Sequence, residues 1–226
     1  MTRLIAIGDI HGHSKALIKL LELISPREGD KFVFLGDLID RGPDSKGVCD
    51  IAIELAQTHP TEFIMGNHEE MALASAMGKS EVRMWKQFGG IQALQSWGIN
   101  HDTYGPQDFY KLPPGHLRLL GNMSDYHQHG MHVFVHAGYD SRKLEHTPSY
   151  TLRWSKLNKN PPPPLYGPYG EKFTVWCGHT VQPRVLDWGH LVCIDTGCGV
   201  LENGYLTAVD VFTRTYWHVD TAGRRV

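Results

Sequence analysis

The amino-acid sequence predicts an α/β fold built on a mostly parallel sheet, and three observations carry that prediction. Short apolar runs alternate with amphipathic helical patterns through the first third of the chain. Each run ends at a glycine followed by a polar side chain, the mark of a buried strand feeding a tight turn. With 226 residues, 41% of them hydrophobic and 20% charged, the chain is ordinary globular material and long enough for a sizeable core.

The elements follow in order. Leu4, Ile5, Ala6 and Ile7 form a first strand that stops at Gly8-Asp9. Ser14 is placed to cap a helix whose apolar face carries Leu17, Leu20, Leu21 and Ile24. Phe32, Val33, Phe34 and Leu35 are a second strand, residues 51–55 belong to a second helix, and Phe63, Ile64 and Met65 are a third strand. This β-α-β-α-β order is that of right-handed crossovers. From about residue 70 to 121 the pattern is helical, with Trp85, Phe88, Leu94 and Trp97 as core anchors and Gly89-Gly90 as a break. Strands resume at 132–136, 175–177, 191–194, 206–212 and 216–219, and their close spacing predicts antiparallel pairing. Four prolines at 161–164 make a stiff extended loop. There is no internal repeat and no linker, so one domain over 1–226 with a helical insertion at about 70–121 is expected.

Composition excludes several classes. The 22 Lys plus Arg against 24 Asp plus Glu leave a net charge of −2, without the basic excess a nucleic-acid binder uses, so no nucleic-acid partner is expected. No apolar run approaches the ~18–20 residues of a membrane span, and the first is too short for a signal-peptide core. A soluble, cytoplasmic protein without a membrane partner is expected. Cys49, Cys177, Cys193 and Cys198 form no C-x-x-C pair. The span from Cys177 to Arg184 is one residue too long for a cysteine-phosphatase loop, and Gly78-Lys79-Ser80 lacks the leading glycine of a P-loop.

Chemistry gathers at the strand ends, where open α/β sheets bind ligands. Strand after strand is followed by GDIHG (8–12), GDLIDRG (36–42), GNHE (66–69), HAG (136–138) and GHT (178–180). The donors they offer are Asp9, His11, Asp37, Asn67, His136 and His179: two carboxylates, three imidazoles and one amide oxygen. Mixed N/O ligation suits Mn, Fe or Zn. Six donors are too many for one catalytic ion with an open position and suit two ions about 3.5–4 Å apart. The remaining histidines, His13, His127, His129 and His132 among them, read as surface or loop residues.

These five blocks, in this order and over residues 4–212, resemble the phosphoprotein phosphatase branch of the metallophosphoesterases, the calcineurin-like superfamily, and its small bacterial and phage members. The resemblance implies a four-layer sandwich: two packed mixed β-sheets flanked by helices. It implies two divalent cations, Mn first with Fe or Zn as alternatives. Asp9 and His11 would bind one, Asp37 would bridge, and Asn67, His136 and His179 would complete the second. His68 would be the general acid, held by Asp40, and Arg41 with Asn67 would grip the phosphate. Where many members carry a second basic residue two positions beyond a tryptophan, Trp154 is followed by Lys156 and preceded by Arg153, so either could fill that role. Phosphoryl transfer is mostly positioning and charge stabilisation, which suits such a set.

The implied activity is hydrolysis of phosphoserine or phosphothreonine on proteins, with phosphotyrosine as an extension, by a dinuclear metal-hydroxide mechanism. The partner would be a phosphorylated protein or a small phosphorylated substrate. The alternative is cleavage of dinucleoside polyphosphates, especially symmetrical diadenosine tetraphosphate; relatives of that kind typically carry Asp where this chain has Glu69.

Overall fold

Buried on both faces, β1 (Leu4–Ile7) can only be a central strand, and its alternating side chains feed two different cores. The computed structural model describes residues 2–140 and 144–226. In it, β1 pairs in parallel with β2 (Lys31–Phe34), and β2 with β3 (Thr61–Phe63). On its other side β1 pairs antiparallel with β9 (Tyr205–Asp210), which carries β10 (Thr215–Asp220) at the edge. The crossovers are α1 (Ser14–Ile24) and α2 (Ser45–Thr58).

Ile5, Ile7, Phe32 and Phe34 meet Leu17, Leu20, Val48 and Ala52 of these helices. The opposite face, with Leu4, Ala6, Val33 and Val209, packs on Phe134, Trp176 and Val192 of a second sheet. That sheet runs β4 (Tyr126–His129), β5 (His132–Val135), β6 (Thr174–Cys177), β8 (Leu191–Cys193) and β7 (Leu186–Asp187). Its outer face, Val133, Val135, Val175 and Leu191, is covered by Leu152 of α7 (Ser149–Trp154), with Leu165 and Phe173 from the loop beyond. The result is the expected four-layer α/β sandwich of two mixed sheets flanked by helices.

Between β3 and β4 lie α3 (Asn67–Ala74), α4 (Lys79–Trp85), a π-turn (Lys86–Gly90), α5 (Ile91–Ser96), a 3-10 turn (Pro106–Lys111) and α6 (Pro114–Gly121).

Several expectations differ from what is observed. Strands β5 and β6, and β6 and β8, are parallel rather than antiparallel. The chain between β5 and β6 carries α7 and the proline loop, enough length for a crossover. Ser14 does not cap α1; its hydroxyl donates to Asp44 at 2.6 Å, and the cap position belongs to His13. Asp44 itself caps α2, accepting from the Gly47 amide at 2.9 Å. Phe88 is 49% exposed rather than a core anchor, whereas Trp85 and Leu94 are fully buried. His127 and His129 lie in β4, a strand too polar to betray itself by hydropathy.

Candidate metal centre

Each candidate donor leaves the end of a strand. Asp9 and His11 follow β1, and Asp37, Asp40 and Arg41 follow β2. Asn67 and His68 open α3, which starts four residues after β3, while His136 and His179 follow β5 and β6. The first sheet therefore supplies four of the six donors and the second sheet two. Asp9, His11, Asp37, Arg41, Asn67, His68 and His179 line one cavity of about 580 Å³. His136 stands behind it, with Nε2 3.4 Å from Oδ1 of Asp37.

The backbone bends hard to achieve this. His11, Asp37, Asp40, Arg41 and His179 all adopt left-handed conformations, with φ of 46°, 51°, 72°, 65° and 63°. Non-glycine residues rarely sit there, and such strain persists only where the surroundings over-determine it. Here the Asp37 carbonyl accepts the amides of Ile10 and His11 at 3.0 and 2.9 Å, tying the two turns together. Two block glycines serve close approach: a Cβ at Gly66 would stand 2.2 Å from Asp37 Oδ1, and one at Gly178 would stand 2.0 Å from Asp9 Oδ1.

Backbone carbonyls set the imidazoles. His11 Nδ1 is 3.1 Å from the Ile39 oxygen, His136 Nδ1 is 2.7 Å from that of Leu35, and His179 Nε2 is 3.1 Å from that of Trp154. A carbonyl can only accept, so each of these nitrogens carries the proton and the other ring nitrogen presents a lone pair. The lone pairs of His136 Nε2 and His179 Nδ1 both converge on the Asn67 amide oxygen, each at 3.0 Å. Arg41 Nη1 donates to His11 Nε2 at 2.9 Å. Two triads, His11–Asp37–His68 and Asp37–His136–His179, have ligand atoms within 4.8 Å of one another. Asp37 belongs to both; Asp9 belongs to neither, and its carboxylate accepts the His179 amide at 3.1 Å.

Electrostatics match the crowding. Burial, then the Asp195 and Asp37 carboxylates, push Asp9 well above the ordinary range. Burial would raise Asp37 too, but the imidazoles of His136, His68, His11 and His179 outweigh it and hold its carboxyl below. Burial depresses His11 and His136, and burial with His136 holds His179 at about 4. His68 moves the other way: burial would lower it, yet Asp37 and Asp40 raise it.

His68 Nδ1 is 2.7 Å from Asp40 Oδ2, so that nitrogen carries the proton and Nε2 faces the cavity. Among the described residues, Nε2 is the buried side-chain polar atom left without a partner. Of the two basic candidates flanking Trp154, Lys156 lines the cavity. Arg153 does not. Its guanidinium is paired with Asp125 at 2.6 Å and Glu70 at 2.9 Å.

A family model of the calcineurin-like phosphoesterases matches residues 2–190. The chain belongs to that family. It is 31% identical over 198 residues to serine/threonine-protein phosphatase 1 of Salmonella typhimurium strain LT2, covering 84% of each chain. It is 25% identical over 233 residues to the asymmetrical bis(5'-nucleosyl)-tetraphosphatase PrpE of Geobacillus sp. strain WCH70, covering 89% of this chain and 87% of that one. The crystal structure of a cold-active protein-tyrosine phosphatase of a psychrophilic Shewanella superposes with a TM-score of 0.60 at 18% identity, over 100% of this chain and 80% of that one. That last likeness concerns the fold alone.

This calcineurin-like phosphoesterase is thus a hydrolase acting on phosphoesters, from a family that uses a dinuclear divalent metal centre. The residues present fit such a centre. Two imidazole lone pairs and an amide oxygen facing one another with no proton between them repel until a cation separates them. The burial and neighbouring carboxylates that lift Asp9 have the same remedy.

Three residues of the site carried no assigned role in the sequence. Asp195, fully part of the cavity wall, is pushed up to about 6 by burial with Asp37 adding. Trp85 donates Nε1–H to Asp40. Glu69 accepts the amides of Asp37, Leu38 and Gly66. Glu69 lies inside a quoted block and Asp195 follows the end of strand β8, so position at a strand end was a usable signal for both; Trp85 left none beyond being a tryptophan in a core.

Proposed function

We propose that the protein is a metal-dependent phosphatase that hydrolyses phosphoserine and phosphothreonine on proteins, with Mn as its cation. Two divalent ions in this cradle would oppose the charge on the phosphoryl oxygens and supply a nucleophilic water at neutral pH. Asp9 and His11 would hold one, Asp37 both, and Asn67, His136 and His179 the other. The observation that carries the reading is the unpartnered Nε2 of His68, buried, aimed into the cavity and 3.9 Å from Asp37 Oδ2. A proton held there would pass to the leaving oxygen, while Asp40 keeps the ring oriented through Nδ1. Arg41 would swing from His11 onto the phosphate, where a guanidinium can bind two oxygens at once, and Lys156 would add a second positive charge.

The likeness to the Salmonella protein phosphatase supports phosphoproteins as substrates, and the likeness to the Geobacillus tetraphosphatase supports dinucleoside polyphosphates as the second reading. No helix among the described residues is long and apolar enough to cross a membrane, which suits a cytoplasmic enzyme. The deciding experiment is kcat/KM of the Mn-loaded protein on a phosphothreonine peptide and on diadenosine tetraphosphate, side by side. Preference for the peptide supports the protein phosphatase; preference for the dinucleotide overturns it in favour of the second reading.

A further inference from the structure

The helical segment after α3 does more than cover the cavity. Trp85, the last residue of α4, is fully buried, and its Nε1–H lies 2.9 Å from both carboxylate oxygens of Asp40. One of those oxygens, Oδ2, is the partner of His68 Nδ1 at 2.7 Å. Phenylalanine would fill a core position without bringing a polar hydrogen; the indole brings one, and here it is aimed at a buried charge. Asp40 has no exposed surface, and its backbone amide is held by the Ser45 hydroxyl at 2.9 Å. Together with His68 Nδ1, the indole therefore limits the remaining freedom of this carboxylate, rotation about its own side chain.

The turn that follows is fitted to the same strand end. Gly89 has φ of 111°, and its carbonyl accepts the amide of Arg41 at 3.2 Å. A Cβ at Gly89 would stand 2.6 Å from that amide nitrogen, and one at Gly90 would stand 2.7 Å from the Trp85 ring. Asp40 and Arg41 are consecutive left-handed residues, an unfavourable pair that needs outside support. The segment supplies it at both: the indole on the Asp40 side chain, the Gly89 carbonyl on the Arg41 backbone.

We propose that Trp85 is a positioning residue for leaving-group protonation: its N–H locks the Asp40 carboxylate so that the His68 ring holds Nε2 toward the reacting phosphate. The inference rests on the roles given above to His68 and Asp40. Trp85 touches no substrate and acts only through Asp40. Substituting Trp85→Phe keeps an aromatic ring in the core and removes the donor.

The test compares Mn-loaded wild type and Trp85→Phe on two esters, p-nitrophenyl phosphate, whose leaving group needs no proton, and a phosphothreonine peptide, whose alkoxide does. A mispositioned acid should lower kcat on the peptide by about tenfold or more while KM and bound Mn are unchanged, and should lower kcat on the aryl ester by no more than about threefold. Equal losses on both esters would reduce Trp85 to a core residue and overturn the inference. Wild type inert on both would instead overturn the phosphatase reading, and the inference with it.

A second readout needs neither metal nor turnover. In ¹⁵N-labelled, metal-free protein the Trp85 indole N–H signal, identified by its loss in Trp85→Phe, should shift when Asp40→Asn removes the charge it faces. A signal that stays put would overturn the proposed hydrogen bond, whatever the kinetics.

Discussion

The backbone amide of Asp37 donates to Glu69 Oε2 at 2.8 Å, binding the residue shared by both triads to a side chain 32 positions away. The same carboxylate accepts from Leu38 at 2.8 Å, Ile39 at 3.3 Å and Gly66 at 3.1 Å. Glu69 is thus the common acceptor for two strand-end turns. Replacing it with Ala leaves four buried donors without partners, and each such loss costs about 1–3 kcal/mol. Glu69→Ala should lower the urea midpoint by at least the equivalent of ~4 kcal/mol and reduce bound Mn. Unchanged stability with full metal would refute this role.

His68→Asn should cut turnover of a phosphothreonine peptide by about 10²–10⁴-fold, while the metal content stays at the wild-type value. Wild-type rates in that variant would remove His68 from the chemistry.

Asp37→Asn should lose bound metal as well as rate, because Asp37 lies in both triads. Elemental analysis giving two full equivalents in the variant would show that Asp37 is not shared between ions.

Lys156→Ala should raise KM for a phosphorylated substrate several-fold, whereas Arg153→Ala should leave KM alone and only loosen α7, since Arg153 is committed to Glu70 and Asp125. Steady-state kinetics on the pair checks this. A KM effect from Arg153 equal to that from Lys156 would return both to the phosphate.

The depressed His179 links stability to pH. Its ordinary value is 6.5 and in the fold it sits at about 4, so between those values the unfolded chain carries a proton there that the folded chain does not. The stabilisation from a neutral His179 is complete above 6.5 and is lost as pH falls toward 4. Metal-free His179→Asn should therefore show a shallower fall in urea midpoint from pH 7 to about 4.5 than wild type. Parallel curves would contradict the depressed value.

Much of this was legible in the chain. β1 and β2 are buried on both faces, and continuous apolar runs advertise such strands. The strand-end blocks were legible because a close-packed turn needs its glycine beside its ligand, as Gly66 beside Asp37 and Gly178 beside Asp9 illustrate. What stayed hidden is non-local or carries no pattern. The edge strand β4 reads Tyr-His-Gln-His and offers no hydropathy signal, and β7 is two residues long. Trp85 and Asp40 are 45 positions apart, and no periodicity connects them. The half-exposed Phe88 sits beside the left-handed Gly89, a backbone state that sequence does not display.

Since four donors hang from one sheet and two from the other, the Asp37–His136–His179 triad does not exist until Leu4, Ala6 and Val33 have closed on Phe134 and Trp176. Capture of a cation at that triad would then be a timestamp. A half-assembled chain, with the first sheet formed and the other still searching, offers His11, Asp37 and His68 but not His136 and His179, so uptake of a second ion during refolding would mark the moment the two halves meet. An ion held there would tie the two sheets together like a rivet, and prying them apart would mean first letting it go.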